Sequence, residues 1–238
     1  MFLSESYADN DVMPPEIRGK YRFLESGSAA AVLSVVSPDE WSDILSALDE
    51  FELNPQTWLK AGGNRGDVAK ELDGLFDKRG WAERRLDIET KGYLLNKKSE
   101  IMYTFETQYQ EGYLVDNFKG RVAVDVEWNA KDGNLDRDMT AYRTWYEAGV
   151  LSGAVIITKE LEQQRLLRDE LLAEWNSQAP DDEQVLKSPI DLGTTTTTTF
   201  EKAALRMRRG VNGTCPLLIV GVGRNAWNKQ PYMGPNVS

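Results

Sequence analysis

From Arg121 to Asn129 apolar and polar positions alternate, with Val122, Val124, Val126 and Trp128 on one side and Asp125, Glu127 and Asn129 on the other. A period of two predicts a β-strand with one face in a core. A shorter strand is expected near Gly112–Val115, and Asn117–Gly120 supplies turn residues between the two. The pair therefore predicts an antiparallel hairpin.

Elsewhere the pattern is mainly helical. Around Pro38–Phe51 the apolar spacing predicts a helix, with Ser37 at the cap position and Pro38 in the first turn. A glycine-rich turn, "AGGNRG", leads into a helix from Asp67 to Lys78 whose stripe is Leu72, Leu75 and Phe76, stopped by Gly80. "LDRDMTAYRTWYEAG" predicts a helix ended by Gly149, Glu160–Trp175 a long charged helix, and Phe200–Arg209 another. "SGAVIITK" and "PLLIVGVG" are continuous apolar runs, the mark of strands buried on both faces. Arg84–Glu89 and Ile101–Phe105 are further expected strands, and residues 1–20 an irregular lead-in. Residues 177–199 read as a loop region closing on six threonines, Thr194–Thr199, and 224–238 as a tail. This order predicts an α/β fold: a central mixed β-sheet with helices on both faces, in one domain across 1–238.

Composition narrows the chemistry. The chain has 238 residues, 41% hydrophobic and 28% charged, as expected of a globular protein. No apolar run approaches the roughly 20 residues that cross a bilayer, and the first residues lack a basic stretch followed by an apolar one. A cytoplasmic protein is expected. There is one cysteine, Cys215, and no histidine. That excludes histidine-based nucleophilic and general-base catalysis and histidine- or cysteine-rich zinc sites. Carboxylates, or a hard cation such as Mg²⁺ on oxygen ligands, are left to do hydrolytic work. The net charge of −10 disfavours nucleic acid as a partner unless basic side chains gather locally. They do so at Lys78, Arg79, Arg84 and Arg85, at Lys97 and Lys98, and at Arg206, Arg208 and Arg209. Each group reads as a solvated face before it reads as a DNA contact.

Asp125 and Glu127 leave the same strand face roughly 6–7 Å apart along the backbone. Asp116 lies nine residues before Asp125, across a turn containing Gly120, and a hairpin brings it alongside. Three acids on one face repel one another unless a cation holds them. A water-facing strand carries Asp-x-Glu equally well, so spacing alone leaves both readings open.

An acid, a turn, then a strand carrying acid-x-Glu resembles the PD-(D/E)xK nuclease signature. The longer string "VAVDVEWNAKDGNLDRDMTAYRTWYEAGVLSGAVIITK" is more specific and resembles the type II restriction endonucleases of the BamHI, BglII and BstYI group. "TTTTTTFEKAALRMRRGVNGTCPLLIVGVG" and "GGNRGDVAKELDGLFDKRGW" are similar to further segments of that family, so the likeness runs from about Gly62 to Gly223. The resemblance implies a restriction-endonuclease-like core and Mg²⁺-dependent hydrolysis of double-stranded DNA at a palindromic, GATC-centred site, leaving 5′-phosphates. It implies a homodimer in a prokaryotic restriction-modification system, with the helix from Asp136 as an interface element. By position, Asp116 and Asp125 correspond to the metal-binding acids, and Asp116, Asp125 and Glu127 to the catalytic set. Glu127 takes the place that most PD-(D/E)xK nucleases give to lysine. An upstream polar residue of the site is a choice between Glu100 and Asn96. Asn129, Lys131, Arg137, Thr198 and Thr199 are the expected DNA contacts. Two departures stand out: Asp125 is one methylene shorter than the glutamate expected there, and Ala130 replaces an expected base-reading side chain. Another PD-(D/E)xK nuclease, for repair or junction resolution, and an inactive DNA-binding module of the same fold are the alternatives.

Overall fold

The computed structural model describes residues 3–60, 66–186, 190, 192 and 197–235. The strands are β1 (Leu3–Ser4), β2 (Tyr21–Ser26), β3 (Ala82–Arg85), β4 (Ile88–Thr90), β5 (Tyr93–Leu95) and β6 (Ile101–Thr104), then β7 (Gln108–Gln110), β8 (Leu114–Lys119), β9 (Val122–Glu127), β10 (Gly153–Lys159) and β11 (Leu217–Val222). The helices are α1 (Pro15–Lys20), α2 (Ala29–Val36), α3 (Pro38–Glu50) and α4 (Pro55–Trp58), then α5 (Asp67–Asp77), α6 (Asn134–Glu147), α7 (Leu161–Gln178) and α8 (Phe200–Arg208).

Seven strands form one mixed sheet in the order β1-β2-β11-β10-β9-β8-β3. Its centre, β9, β10 and β11, is parallel, while β2 and β8 flank it antiparallel. The apolar runs predict this placement, because parallel strands need cover on both faces. On one face Val122, Val124, Val126, Val155 and Val220 pack against residues of α2, α3, α5 and α7. On the other, Ala123, Ile156 and Ile219 meet α6 and α8 through Leu135, Met139, Tyr142 and Met207. The expected α/β architecture, a mixed sheet with helices on both faces, is the observed one.

Several boundaries differ from expectation. The lead-in contains β1, a 3₁₀ turn at Ser6–Ala8 and α1. The pattern also missed β2 and α2, for a physical reason. Glu25 sits at an interior position of β2, fully buried, with its carboxylate accepting the amide of Ala30 at 2.9 Å. A charge in the core register disguises a strand, and the unbroken apolar run of α2 hides helical periodicity. The first hairpin strand runs on to Lys119, beyond the expected turn, so β8 and β9 join through Gly120 and Arg121, with Lys119 opposite Val122. Gly120 takes a φ of 54° there, the left-handed region that favours glycine. The glycines at 62 and 63, and Thr194–Thr196, lie outside the described residues.

Residues 88–110 leave the main sheet as a ribbon, in which β5 with β6 is nested between β4 and β7. The expected strand over Arg84–Glu89 is therefore two short ones, β3 in the sheet and β4 at the base of the ribbon.

Candidate active site

Strand β9 is buried along its whole length, acids included. The water-facing reading of Asp125 and Glu127 thus fails: both side chains point at α6, and each is at most 3% exposed. Asp116, on β8, is exposed. A register shift between β3 and β8 falls beside it, between Ala82 and Arg84. Such a shift bends a strand and re-aims its side chains. Val115 and Phe118, three apart, accordingly share the α6-side core. The amide of Asp116 donates to Oδ1 of Asp125 at 2.7 Å, so the hairpin sets these two acids side by side.

Helix α6 answers both acids on β9. The Tyr142 hydroxyl donates to Oδ2 of Asp125. One turn earlier, Asp138 meets Glu127, and Arg137 donates through Nε to Oδ1 of Asp138 at 2.9 Å. Oε2 of Glu127 and Oδ2 of Asp138 are buried and have no donor among the described groups. Two carboxylates in that position need a proton between them. Burial, then the charge of Asp138, pushes the Glu127 carboxyl up to about 10, which puts the proton on Glu127. Asp125 is raised as well, by burial first and then by Asp138 and Asp116. Asp138 and Tyr142 escaped the sequence reading. Their signal is two polar residues four apart within the stripe that also carries Leu135 and Met139, which puts them on the helix's buried face.

The expected three-acid cage is not formed. Among the described residues no group of three or more acids, histidines or cysteines is placed to hold a metal ion. Glu127 is turned to Asp138, which leaves Asp116 and Asp125 as an all-oxygen pair. That pair fits Mg²⁺, which is commonly held by one or two carboxylates with water and substrate phosphate completing its shell.

Beyond Glu127 the β9–β10 ladder stops, and side chains replace it. The hydroxyls of Thr158 and Thr198 both donate to the Glu127 carbonyl, at 2.7 and 2.9 Å. Lys159 donates to the carbonyl of Trp128 at 2.7 Å and to Oδ1 of Asn129 at 3.1 Å. The Thr198 amide bonds the carbonyl of Ala130, and Lys131 bridges Thr197. The two segments expected to meet DNA are thus one paired structure, at the carboxyl ends of parallel strands, where ligands bind in open α/β sheets.

Of the expected DNA contacts, Asn129 and Lys131 are exposed and Arg137 half-buried. Thr198 and Thr199 are both buried, Thr198 bonded to the Glu127 carbonyl and Thr199 accepting the Lys202 amide as the cap of α8. These bonds tie the threonine segment to the site. Glu100 and Asn96 bond each other at the outer turn of the ribbon, between β5 and β6. Several basic clusters are tied within the chain: Arg79 to Glu50, Arg85 to Glu111, and Arg206 to Asp132 and Asp136.

A family model described as restriction endonuclease BglII/BglIII matches residues 21–222 of the 238. The match opens with β2 and closes with β11, taking in the hairpin, α6 and the paired strand-end segments. No curated protein matches the chain at a significant level. A buried acid strand with Asp116 at its side, inside a match of that length, admits one conclusion: the chain belongs to the BglII/BglIII restriction endonuclease family, nucleases that cleave double-stranded DNA.

Proposed function

We propose that the protein is a type II restriction endonuclease that hydrolyses both strands of a palindromic, GATC-centred DNA site with Mg²⁺, leaving 5′-phosphates and 3′-hydroxyls. The observation that carries this reading is the 2.7 Å bond from the Asp116 amide to the Asp125 carboxylate, which joins the two metal-ligand candidates. Asp116 and Asp125 would hold the divalent cation, which when bound would neutralise charge on the phosphate oxygens and activate a water. Water adds to phosphorus, the bond from phosphorus to the 3′ oxygen breaks, and that oxygen leaves with a proton. Glu127 has no positive charge to offer, unlike the lysine that most PD-(D/E)xK nucleases outside this group carry there. Its proposed part, orienting the attacking water, requires its carboxyl to turn from Asp138 toward the scissile phosphate, on a backbone that Thr158 and Thr198 hold still.

Asn129, Lys131 and Arg137 are the proposed DNA contacts. A palindrome calls for a two-fold dimer, with one subunit for each strand. The ribbon supports one. Tyr93, Leu94, Leu95, Ile101, Met102 and Tyr103 are each more than half exposed. Neighbours such as Tyr93 and Leu94, where the ladder is regular, point to opposite sides, so both faces are apolar. A second copy would cover them. At its base the ribbon shares a groove with α6, lined by Leu86, Ile88, Tyr113, Thr140 and Thr144, which extends the expected α6 interface.

The test is digestion of a sequenced plasmid with Mg²⁺ and mapping of the ends. Fragments with 5′-phosphates ending at one palindrome are expected. Asp116→Ala and Asp125→Ala should each abolish cleavage while leaving DNA binding in place. Cutting retained by either variant overturns the assignment.

A further inference from the structure

Asp125 stands where the family resemblance leads one to expect glutamate. An aspartate there is one methylene shorter, and on the helix opposite Tyr142 reaches it. The tyrosine is fully buried among Leu135, Met139 and Trp145, and its hydroxyl donates to Oδ2 of Asp125. The other oxygen, Oδ1, accepts the Asp116 amide. A carboxylate gripped at both oxygens, from a neighbouring strand and from a facing helix, has one orientation. Each oxygen keeps a further lone pair for a cation.

We propose that Tyr142 is the positioning residue of this cleavage site, its hydroxyl fixing the shortened Asp125 in the orientation from which it binds a divalent cation beside Asp116. This rests on the nuclease reading above for the identity of the metal-binding acids. It goes further in tying Asp125 and Tyr142 together as a matched pair: a short acid with a hydroxyl to hold it. The pairing makes a specific demand. A glutamate at 125 would have its carboxylate driven against the tyrosine oxygen, and removing that oxygen would make room for it.

The test uses Tyr142→Phe, Asp125→Glu and the double variant. Two readouts are taken: calorimetric titration with Mn²⁺ in the absence of DNA, and the Mg²⁺ concentration for half-maximal plasmid cleavage. Removing a group that orients a metal ligand costs about 10–100-fold in affinity or activity. Tyr142→Phe should therefore weaken Mn²⁺ binding and raise the Mg²⁺ midpoint by about that factor, with KM for DNA unchanged. Asp125→Glu alone should be impaired, and the double variant should recover to well above the product of the two single effects. Unchanged Mn²⁺ affinity in Tyr142→Phe, or a double variant no better than that product, overturns the proposal. If Tyr142→Phe is too unstable to titrate, the double variant against Asp125→Glu decides by the same criterion. The Mn²⁺ titration reads the pairing even if the wild-type protein cuts no DNA, which would count against the function and not against Tyr142.

Discussion

Asp125 and Glu127 lie two apart on a buried strand, yet α6 treats them differently: one meets a hydroxyl, the other a second acid. Asp138→Asn tests what that second acid costs. The amide keeps a hydrogen-bond partner for the protonated Glu127 and removes the buried charge of Asp138, while losing the pairing to the half-buried Arg137. Partly exposed ion pairs are worth roughly 0.2–1 kcal/mol, less than the penalty for holding a carboxylate charge out of water. Thermal unfolding in EDTA should therefore show the variant melting about 2–4 °C higher, the shift expected for roughly 1 kcal/mol in a chain of this size. A lower Tm would mean that Arg137 outweighs the cost of burying that charge. The three acids were legible from alternation and a turn. Their partners Asp138 and Tyr142 were not, because a helix pattern shows which residues share a face but not which strand that face will cover.

At the level of elements, the hairpin depends on its turn. Gly120→Ala forces a left-handed φ on a residue with a Cβ, at about 1–2 kcal/mol. Tm should fall by several degrees, and cleavage should fall with it if the β8–β9 register sets Asp116 beside Asp125. The threonine segment makes a second test. Thr198→Val keeps the shape and deletes the bond to the Glu127 carbonyl, a loss of about 1 kcal/mol. Turnover should drop with DNA affinity unchanged. A weaker affinity with a shallower salt dependence would instead make Thr198 a phosphate contact. Helices with clean stripes, such as α3 and α5, and the apolar strands β10 and β11 were legible because their burial follows from local pattern. The threonines read as a loop because their partners at Glu127 and Ala130 lie far off in the chain, and such pairing leaves no local period.

The whole molecule carries a sheet whose core is closed on both faces and a ribbon that is not. If the ribbon is where two copies meet, Leu94→Ser with Met102→Ser should halve the mass measured by light scattering. It should also turn paired cuts in a plasmid into nicks. A dimer that survives the double change places the interface elsewhere. Of the ribbon's two outer strands only β6 was foreseen, as Ile101–Phe105, and β5 was not, since exposed apolar residues on both faces show no alternation. The point where the β9–β10 ladder ends, at Glu127 and Thr158, has a consequence for altering this protein. Upstream of it every side chain of β9 and β10 is buried, so target preference has no room to drift on these strands. Downstream, Asn129 to Lys131 are held by the Lys159 side chain and the Thr197–Thr198 backbone rather than by the ladder. If the protein cuts a defined DNA site as proposed, variants selected to cut a different one should collect their changes in that short stretch and keep the position of the cut.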